Sequence, residues 1–159
     1  MFLNEKINTL YKNYSIFFTD ASKQAEEQPV GLAIYEPLTQ NSEIYQISKH
    51  ASIFTAEALA ILLTLERIGK NNIKKAVIFT DSRSTVQSLN NKVNSSSNET
   101  LFEIKSLLQK LIKKEGKKII ISWIPSHIRI SGNEKADFLA KKAITDGIYL
   151  EKYFRKYLR

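Results

Sequence analysis

Two aspartates end two apolar segments with the same dipeptide. Residues 16–20 (IFFTD) and 77–81 (VIFTD) read as strands, and each ends in Thr-Asp, at Asp20 and Asp81. If the two strands are parallel neighbours joined by a right-handed crossover, both carboxylates lie at one edge of a sheet, about 5 Å apart. Ligand sites gather at that edge, and a divalent cation there relieves the repulsion between two carboxylates. Taken singly, Asp20 is equally consistent with a turn residue and Asp81 with a helix N-cap.

Three further residues stand out by their type and surroundings. Glu57 is the only charged residue between Lys49 and Glu66, in a segment that is otherwise almost wholly apolar. Such a charge lies either on a solvent-facing stripe or beside a partner. His127, one of two histidines, follows an apolar strand, and Asp137 comes ten residues later. Alone, His127 fits an ordinary loop residue, and Asp137 fits a solvated early helical turn.

The order of elements predicts how these residues are positioned. Apolar runs predict five strands, at 14–20, 30–36, 43–48, 76–80 and 119–124. Helical spacing predicts helices at 54–68, 84–90 and 101–112, and a last one starting near 132–133. Short links between the first three strands favour an antiparallel meander, and the later alternation of strand and helix favours parallel pairing. We expect Gly69 and Gly116 to end helices and Asp81 or Ser82 to cap the second one.

This pattern predicts an α/β fold with a five-stranded mixed sheet flanked by helices. The first three strands form the meander, and the first, fourth and fifth are parallel neighbours. We expect an N-terminal extension at 1–13, one continuous layered domain at 14–146, and a basic-aromatic tail at 147–159 that is either a docked helix or a frayed end.

Composition narrows the function classes. The 159 residues include no cysteine, which excludes a disulfide scaffold, a thiolate metal site and a cysteine nucleophile. No apolar run approaches the roughly 20 residues that span a bilayer, and the N-terminus lacks a signal-peptide pattern, so we expect an intracellular protein of the cytoplasm or nucleus with no membrane partner. The net charge of +8 favours a nucleic acid partner, with a merely lysine-rich surface as the alternative.

Several segments together resemble type 1 ribonuclease H, most closely the RNase H domains of non-LTR retrotransposon reverse transcriptases. The similarity covers residues 14–146 and is carried by FTDAS, IFTAEALAI, FTDSRSTVQSL and WIPSHIRISGNEKADFLAKKA. By this resemblance the four metal-binding acids are Asp20, Glu57, Asp81 and Asp137. It also implies that His127 assists product release or proton transfer and that Glu134 is a secondary acid.

The resemblance implies a reaction and its partners. Two Mg²⁺ ions, for which Mn²⁺ substitutes, support hydrolysis of the RNA strand of an RNA–DNA hybrid and leave a 5′-phosphate and a 3′-hydroxyl. The protein is expected to be monomeric, alone or as part of a reverse-transcriptase polyprotein. The expected contacts to the hybrid are Ala21, Ser22, Lys23, Ser52 and Arg83.

The chain departs from the family pattern at several positions. Ala21 and Arg129 stand where glycines are usual, and Arg129 costs roughly 1 kcal/mol or more if its backbone needs a positive φ. Ile53 and Phe54 replace the Asn and Gln of cellular members, as in the retroelement branch. A basic protrusion is missing, so affinity for the hybrid is expected from other basic residues: Lys113, Lys114, Lys117 and Lys118, or Lys152, Arg155, Lys156 and Arg159.

Two other function classes remain open from the sequence. The unusual histidine loop is consistent with a module that binds hybrids without turnover. The fold is also shared by transposases, integrases and junction resolvases, and fold alone does not fix function.

Overall fold

A mixed sheet of six strands forms the centre of the protein. The computed structural model describes residues 2–91 and 98–151, so the loop predicted at 92–98, apart from Asn98, and the basic residues beyond Glu151 lie outside it. The strands are β1 (Ser15–Ser22), β2 (Val30–Glu36), β3 (Asn41–Ile47), β4 (Lys75–Thr80), β5 (Lys118–Trp123) and β6 (Ile148–Tyr149).

Helices cover both faces of this sheet. They are α1 (Phe2–Leu10), α2 (Ile53–Lys70), α3 (Arg83–Asn90), α4 (Glu99–Gln109), continued by a π-helical turn at Lys110–Lys114, and α5 (Ser131–Asp146). Among the helices of residues 2–91 and 98–151, none combines the length and the apolar character that crossing a bilayer requires.

The strand order is β5-β4-β1-β2-β3-β6. The pairs β1–β2 and β2–β3 are antiparallel, which confirms the predicted meander. The pairs β1–β4 and β4–β5 are parallel, which confirms the predicted parallel neighbours. The prediction of five strands is wrong by one, because the start of the tail forms a sixth.

The sixth strand continues the sheet beyond β3 as a parallel edge. Ile148 lies opposite Tyr45, and the Leu150 N–H donates to the Gln46 carbonyl at 3.0 Å. Gly147 permits this approach, since a Cβ there would lie only 2.8 Å from the backbone carbonyl carbon of Tyr45 on β3. The described part of the tail therefore begins as an edge strand.

The central strand β1 is buried on both faces. Phe17 packs on one face with α2 and α4 in a core that includes Leu32, Leu59, Ile78 and Ile104. Phe18 packs on the other face in a smaller cluster with Val77, Phe79, Ile124, Ile130 and Ala136. Each large apolar side chain buried in this way contributes about 1.5–3 kcal/mol. The strand that carries Asp20 is therefore held from both sides.

Helix α5 lies unusually close to β2. A Cβ on Gly31 would collide with the backbone carbonyl of Ala140, so only glycine allows this distance. Ala136, Ala140 and Ala143 are fully buried on the same helix. These small side chains allow α5 to pack directly on the sheet next to β1.

Of the two predicted helix ends, the one at Gly69 is wrong and the one at Gly116 is confirmed. Helix α2 does not stop at Gly69 but continues to Lys70, and the left-handed residue that ends it is Asn72, with φ of 52°. Gly116, with φ of 67°, follows the π-helical turn as predicted. Lys117 is only 3% exposed and donates from Nζ to Asn72 Oδ1 at 2.9 Å, so it is not one of the surface lysines that were expected to bind a hybrid.

Candidate active site

Three carboxylates converge at the carboxyl edge of the parallel strands. One oxygen from each of Asp20, Glu57 and Asp81 lies within 4.8 Å of the others. Asp20 and Glu57 are 5% and 4% exposed, and Asp81 is partly buried. The predicted proximity of the two strand-end aspartates is confirmed, and Glu57 joins them from the side.

Strand register and one helix start determine this geometry. Thr19 lies opposite Thr80 in the parallel pair β1–β4, so the next residues, Asp20 and Asp81, are neighbours. Ser52 caps α2, accepting from the Thr55 N–H at 3.0 Å. That cap fixes where α2 begins and hence where Glu57 lies on it.

Asp81 does not serve as a helix cap. Ser82 occupies the N-cap position of α3, but its hydroxyl pairs with the Thr85 hydroxyl at 2.7 Å instead of accepting from a backbone N–H. The alternative interpretation of Asp81 as a cap is therefore wrong, and its carboxylate remains with the cluster.

The cluster is oriented by two donors from the chain. The Ala21 N–H donates to Asp20 Oδ1 at 2.8 Å and to Glu57 Oε1 at 3.2 Å. Asn133 Nδ2 donates to Asp81 Oδ2 at 3.2 Å. Glu57 Oε2 is buried and has no hydrogen-bond partner in the part of the chain that the structure describes. Because an unpaired buried carboxylate oxygen is costly, this atom points to a missing positive partner.

The pKa values of two of these acids reflect their crowding. Burial, and then the charge of Asp81, raises the pKa of Asp20 from 3.8 to about 7, although the Ala21 N–H lowers it. Burial, and then the charge of Asp20, raises the pKa of Glu57 well above its ordinary value. Without a cation, the cluster therefore retains a proton near neutral pH.

The fourth predicted acid lies near the cluster without joining it. Asp137 on α5 is not among the carboxylates that share the 4.8 Å group in the described residues. Its Oδ2 accepts from Lys141 Nζ at 2.7 Å, an ion pair between residues four apart on the exposed side of the helix. Its charge still contributes to the raised pKa of Asp20.

The predicted histidine and secondary acid are exposed near the start of α5. His127 lies in the loop after β5 with φ of 60°, and Glu134 lies in the first turn of α5. Arg129, two residues after the histidine, has φ of 61°. The backbone of Arg129 thus has the positive φ at which the sequence analysis assigned a cost to a residue other than glycine, and the loop holds two residues in a conformation that favours glycine.

The five predicted nucleic acid contacts are in different surroundings. Ser22 is buried and accepts from Gln24 Nε2, and Lys23 Nζ donates to the Lys49 carbonyl at 2.8 Å. Ser52 is exposed as the cap of α2, and the Ala21 N–H is bonded to the carboxylates. Arg83 is exposed, with its guanidinium 5.8 Å from the centre of the Trp123 ring.

Two residues at the site were not singled out from the sequence. Trp123 is 41% exposed and donates from its indole N–H to the Asp81 carbonyl at 3.1 Å. Asn133 was visible only as part of the GNE segment, and nothing in the sequence pairs it with an acid 52 positions away.

The carboxylate cluster, the strand order and the family comparison agree. The family model for RNase H matches residues 12–145, which is most of the chain and includes every residue of the cluster. The chain therefore belongs to the RNase H family of nuclease hydrolases.

Proposed function

We propose that this protein is a metal-dependent endoribonuclease that hydrolyses the RNA strand of RNA–DNA hybrids. The observation that carries the proposal is the buried Glu57 Oε2, which has no partner among the described residues and lies in a group with Asp20 and Asp81. Within residues 2–91 and 98–151, the negative charges of these three carboxylates are offset only by a few neutral N–H donors. Such a group suits a hard cation, since Mg²⁺ and Mn²⁺ prefer oxygen ligands.

The chain's acids fit such cations. Asp20, Glu57 and Asp81 would hold one ion. Asp137 would help to hold a second ion, which would replace Lys141 as the partner of its carboxylate. When bound, these ions supply Lewis-acid polarisation of the phosphodiester and lower the pKa of water. The raised pKa values of Asp20 and Glu57 support this assignment, because a cation displaces the proton that the cluster otherwise retains.

The neighbouring groups hold the acids in position. The Ala21 N–H restrains one oxygen of Asp20 and one of Glu57, and the Asn133 amide restrains Asp81. Carboxylates fixed before the substrate arrives need little reorganisation during the reaction. This is the contribution that the chain itself makes to hydrolysis.

His127 and Glu134 would act at the exposed side of the site. We assign His127 to proton transfer to the departing 3′-oxygen or to product release, with Glu134 as a secondary acid. The products would be a 5′-phosphate and a 3′-hydroxyl. The exposure of both side chains supports a role that requires contact with substrate or solvent.

Substrate contacts would surround the acids. The Arg83 guanidinium over the Trp123 ring offers a phosphate contact beside an apolar surface for a sugar or base. Glu57 and the backbone groups near Ala21, Ser22 and Lys23 would recognise the 2′-hydroxyls that distinguish RNA from DNA, and Ser52 would contact a phosphate.

The biological setting is a further part of the proposal. Ile53 and Phe54 ahead of Glu57 support a relation to the retroelement branch, and thus to a reverse-transcriptase polyprotein. Residues 14–146 would form the catalytic unit, acting as a monomer inside the cell. The exposed lysines at 113, 114 and 118 would add affinity for the hybrid.

A second candidate is a module that binds hybrids without turnover. The positive φ of Arg129 favours it, because strain beside His127 affects the part of the site that handles the leaving group. Retained binding with no cleavage in either Mg²⁺ or Mn²⁺ would support this candidate over the first.

The test uses one labelled RNA strand in three contexts: paired with DNA, paired with RNA, and single-stranded. Wild type and Asp81→Asn are compared in Mg²⁺, in Mn²⁺ and in EDTA, with a duplex DNA as a fourth substrate. We expect cleavage of the hybrid alone, abolished by EDTA and by Asp81→Asn. Cleavage of duplex DNA with the hybrid left intact would overturn the proposal in favour of a transposase, integrase or resolvase activity.

A further inference from the structure

The N-terminal helix α1 contacts the loop that carries His127. Asn4 on this helix donates from Nδ2 to the Arg129 carbonyl at 3.4 Å. Its Oδ1 accepts from the Ser131 N–H at 3.2 Å and from the Ser131 hydroxyl at 3.3 Å. One side chain thus binds the backbone on both sides of Ile130, more than 120 positions away in sequence.

Helix α5 lacks a capping side chain of its own. The N-cap residue is Ile130, which cannot accept a hydrogen bond through its side chain and is 3% exposed in the apolar cluster around Phe18. The first N–H groups of a helix need acceptors, and a residue such as Asn usually supplies one from the N-cap position. Asn4 supplies that acceptor to Ser131 from another helix.

Apart from Asn4, the histidine loop is held at its beginning by a backbone hydrogen bond and at its end by the buried side chain of Ile130. The Ile124 N–H donates to the Thr80 carbonyl at 2.9 Å, which ties the start of the loop to β4. His127 and Arg129 both adopt a positive φ, and each such residue costs about 1 kcal/mol or more. A loop under this strain keeps its conformation only if its far end is held as well.

Helix α1 is attached by few other contacts. Ile7 and Tyr11 pack against the Phe18 cluster, and the Tyr11 ring meets the Phe79 ring edge-on at 5.6 Å. A cavity of about 400 Å³ nevertheless lies between α1 and the sheet, lined in part by Ile7, Tyr11 and Phe18. The Asn4 hydrogen bonds are therefore a specific link within a loosely packed contact.

We propose that Asn4 is a positioning residue that holds the His127 loop and the first turn of α5 in the arrangement used for hydrolysis. The inference rests on the proposed function, because it assigns a role in turnover. Loss of Asn4 would leave the carboxylate cluster on β1, β4 and α2 intact, while the loop and the first turn that carries Asn133 and Glu134 would lose their fixed position.

The experiment compares Asn4→Ala with two matched variants. Asn8→Ala removes the same side chain one turn later on α1, where Asn8 is exposed. Asn4→Asp keeps the acceptor for Ser131 and loses the donor to Arg129. For Asn4→Ala we expect kcat on a hybrid to fall about tenfold with KM changed by less than about twofold. The kcat of Asn8→Ala should equal that of wild type, and the kcat of Asn4→Asp should be much closer to wild type than that of Asn4→Ala.

Amide hydrogen exchange reads out the contact without relying on activity. In Asn4→Ala the exchange of the Ser131 amide should accelerate about tenfold, while amides in β4 keep their protection. Unchanged Ser131 exchange, or equal losses in Asn4→Ala and Asn8→Ala, would overturn the inference. A wild type that cleaves no substrate but shows the Ser131 effect would instead overturn the proposed function and leave the structural link in place.

Discussion

The carboxylate edge and the histidine loop are held in opposite ways. Asp20, Glu57 and Asp81 lie on elements buried in the main core, and their backbone positions follow from strand register and a helix cap. His127 lies on an exposed loop with two positive-φ residues, and the far end of that loop is bound by Asn4 from a separate helix.

The difference shows where the chain carries its unfavourable free energy. At the carboxylate edge it is electrostatic, since like charges are buried together, and a cation can relieve it. In the histidine loop it is conformational, and only neighbouring chain can hold it. Substitutions in the two regions should therefore change different measured quantities.

The largest expected effect comes from the carboxylate edge. Glu57→Gln keeps the size of the side chain but removes the charge that a cation needs, so hybrid cleavage should fall by at least about a thousandfold. Glu66→Gln, an exposed acid on the same helix, is the control and should retain wild-type rates. Equal rates for the two variants would remove Glu57 from the site.

Metal-free stability should depend on pH in a direction set by Asp20. Its pKa is about 7 when folded and 3.8 ordinarily, so the folded state binds more protons between these values, and stability falls as pH rises through this window. In EDTA, the free energy of unfolding should drop by about 3 kcal/mol from about pH 5 to about pH 8.

Urea unfolding of wild type and Asp20→Asn measures this dependence. The variant should lose the part of the slope that Asp20 contributes, while Glu57, whose pKa burial also raises, keeps its own part. Mg²⁺ at about 100 times its Kd should return roughly 2.7 kcal/mol to wild type near pH 8. A wild-type slope that persists in Asp20→Asn would assign the pH dependence to other groups.

A smaller effect is expected from the amide that orients the cluster. Asn133→Ala leaves Asp81 without its donor, and the loss of such a supporting hydrogen bond lowers activity or metal affinity by about 10–100-fold. The exposed Asn13 gives the control substitution, Asn13→Ala. Mn²⁺ titration by calorimetry would separate weakened metal binding from a slower reaction.

The smallest effect belongs to the histidine loop. Arg129→Gly removes the cost of a positive φ and should raise the free energy of unfolding by about 1 kcal/mol. Gln40→Gly, at φ of 56° in the turn between β2 and β3, is the matched control for stability. A stabilisation seen at Gln40 but absent at Arg129 would mean that the loop is not strained.

The sequence predicted the carboxylate edge well, for a physical reason. If two apolar strands that both end in Thr-Asp pair in parallel and in register, Asp20 lies beside Asp81, and β1 and β4 have that register. Glu57 was recognisable as a lone charge on an apolar helix. Both signals are local in sequence. The apolar residues next to these acids in the chain also form the core against which the acids lie.

The rest depended on contacts between distant parts of the chain. Asn4 and Asn133 have partners 127 and 52 positions away, and no local pattern marks either of them. Strand β6 has two residues, too few to show an alternating pattern, and it exists because β3 leaves an edge to pair with. Asp137 was identified as an acid, but its ion pair with Lys141 was not foreseen.

Anomalous scattering from crystals soaked in Mn²⁺ tests the central claim most directly. We predict a peak bonded to carboxylate oxygens of Asp20, Glu57 and Asp81, and none at Glu36 and Glu43, whose charges are already compensated by Arg67 at 3.2 and 3.1 Å. No peak at the three carboxylates under saturating Mn²⁺, or a peak only at another acidic group, would contradict the account.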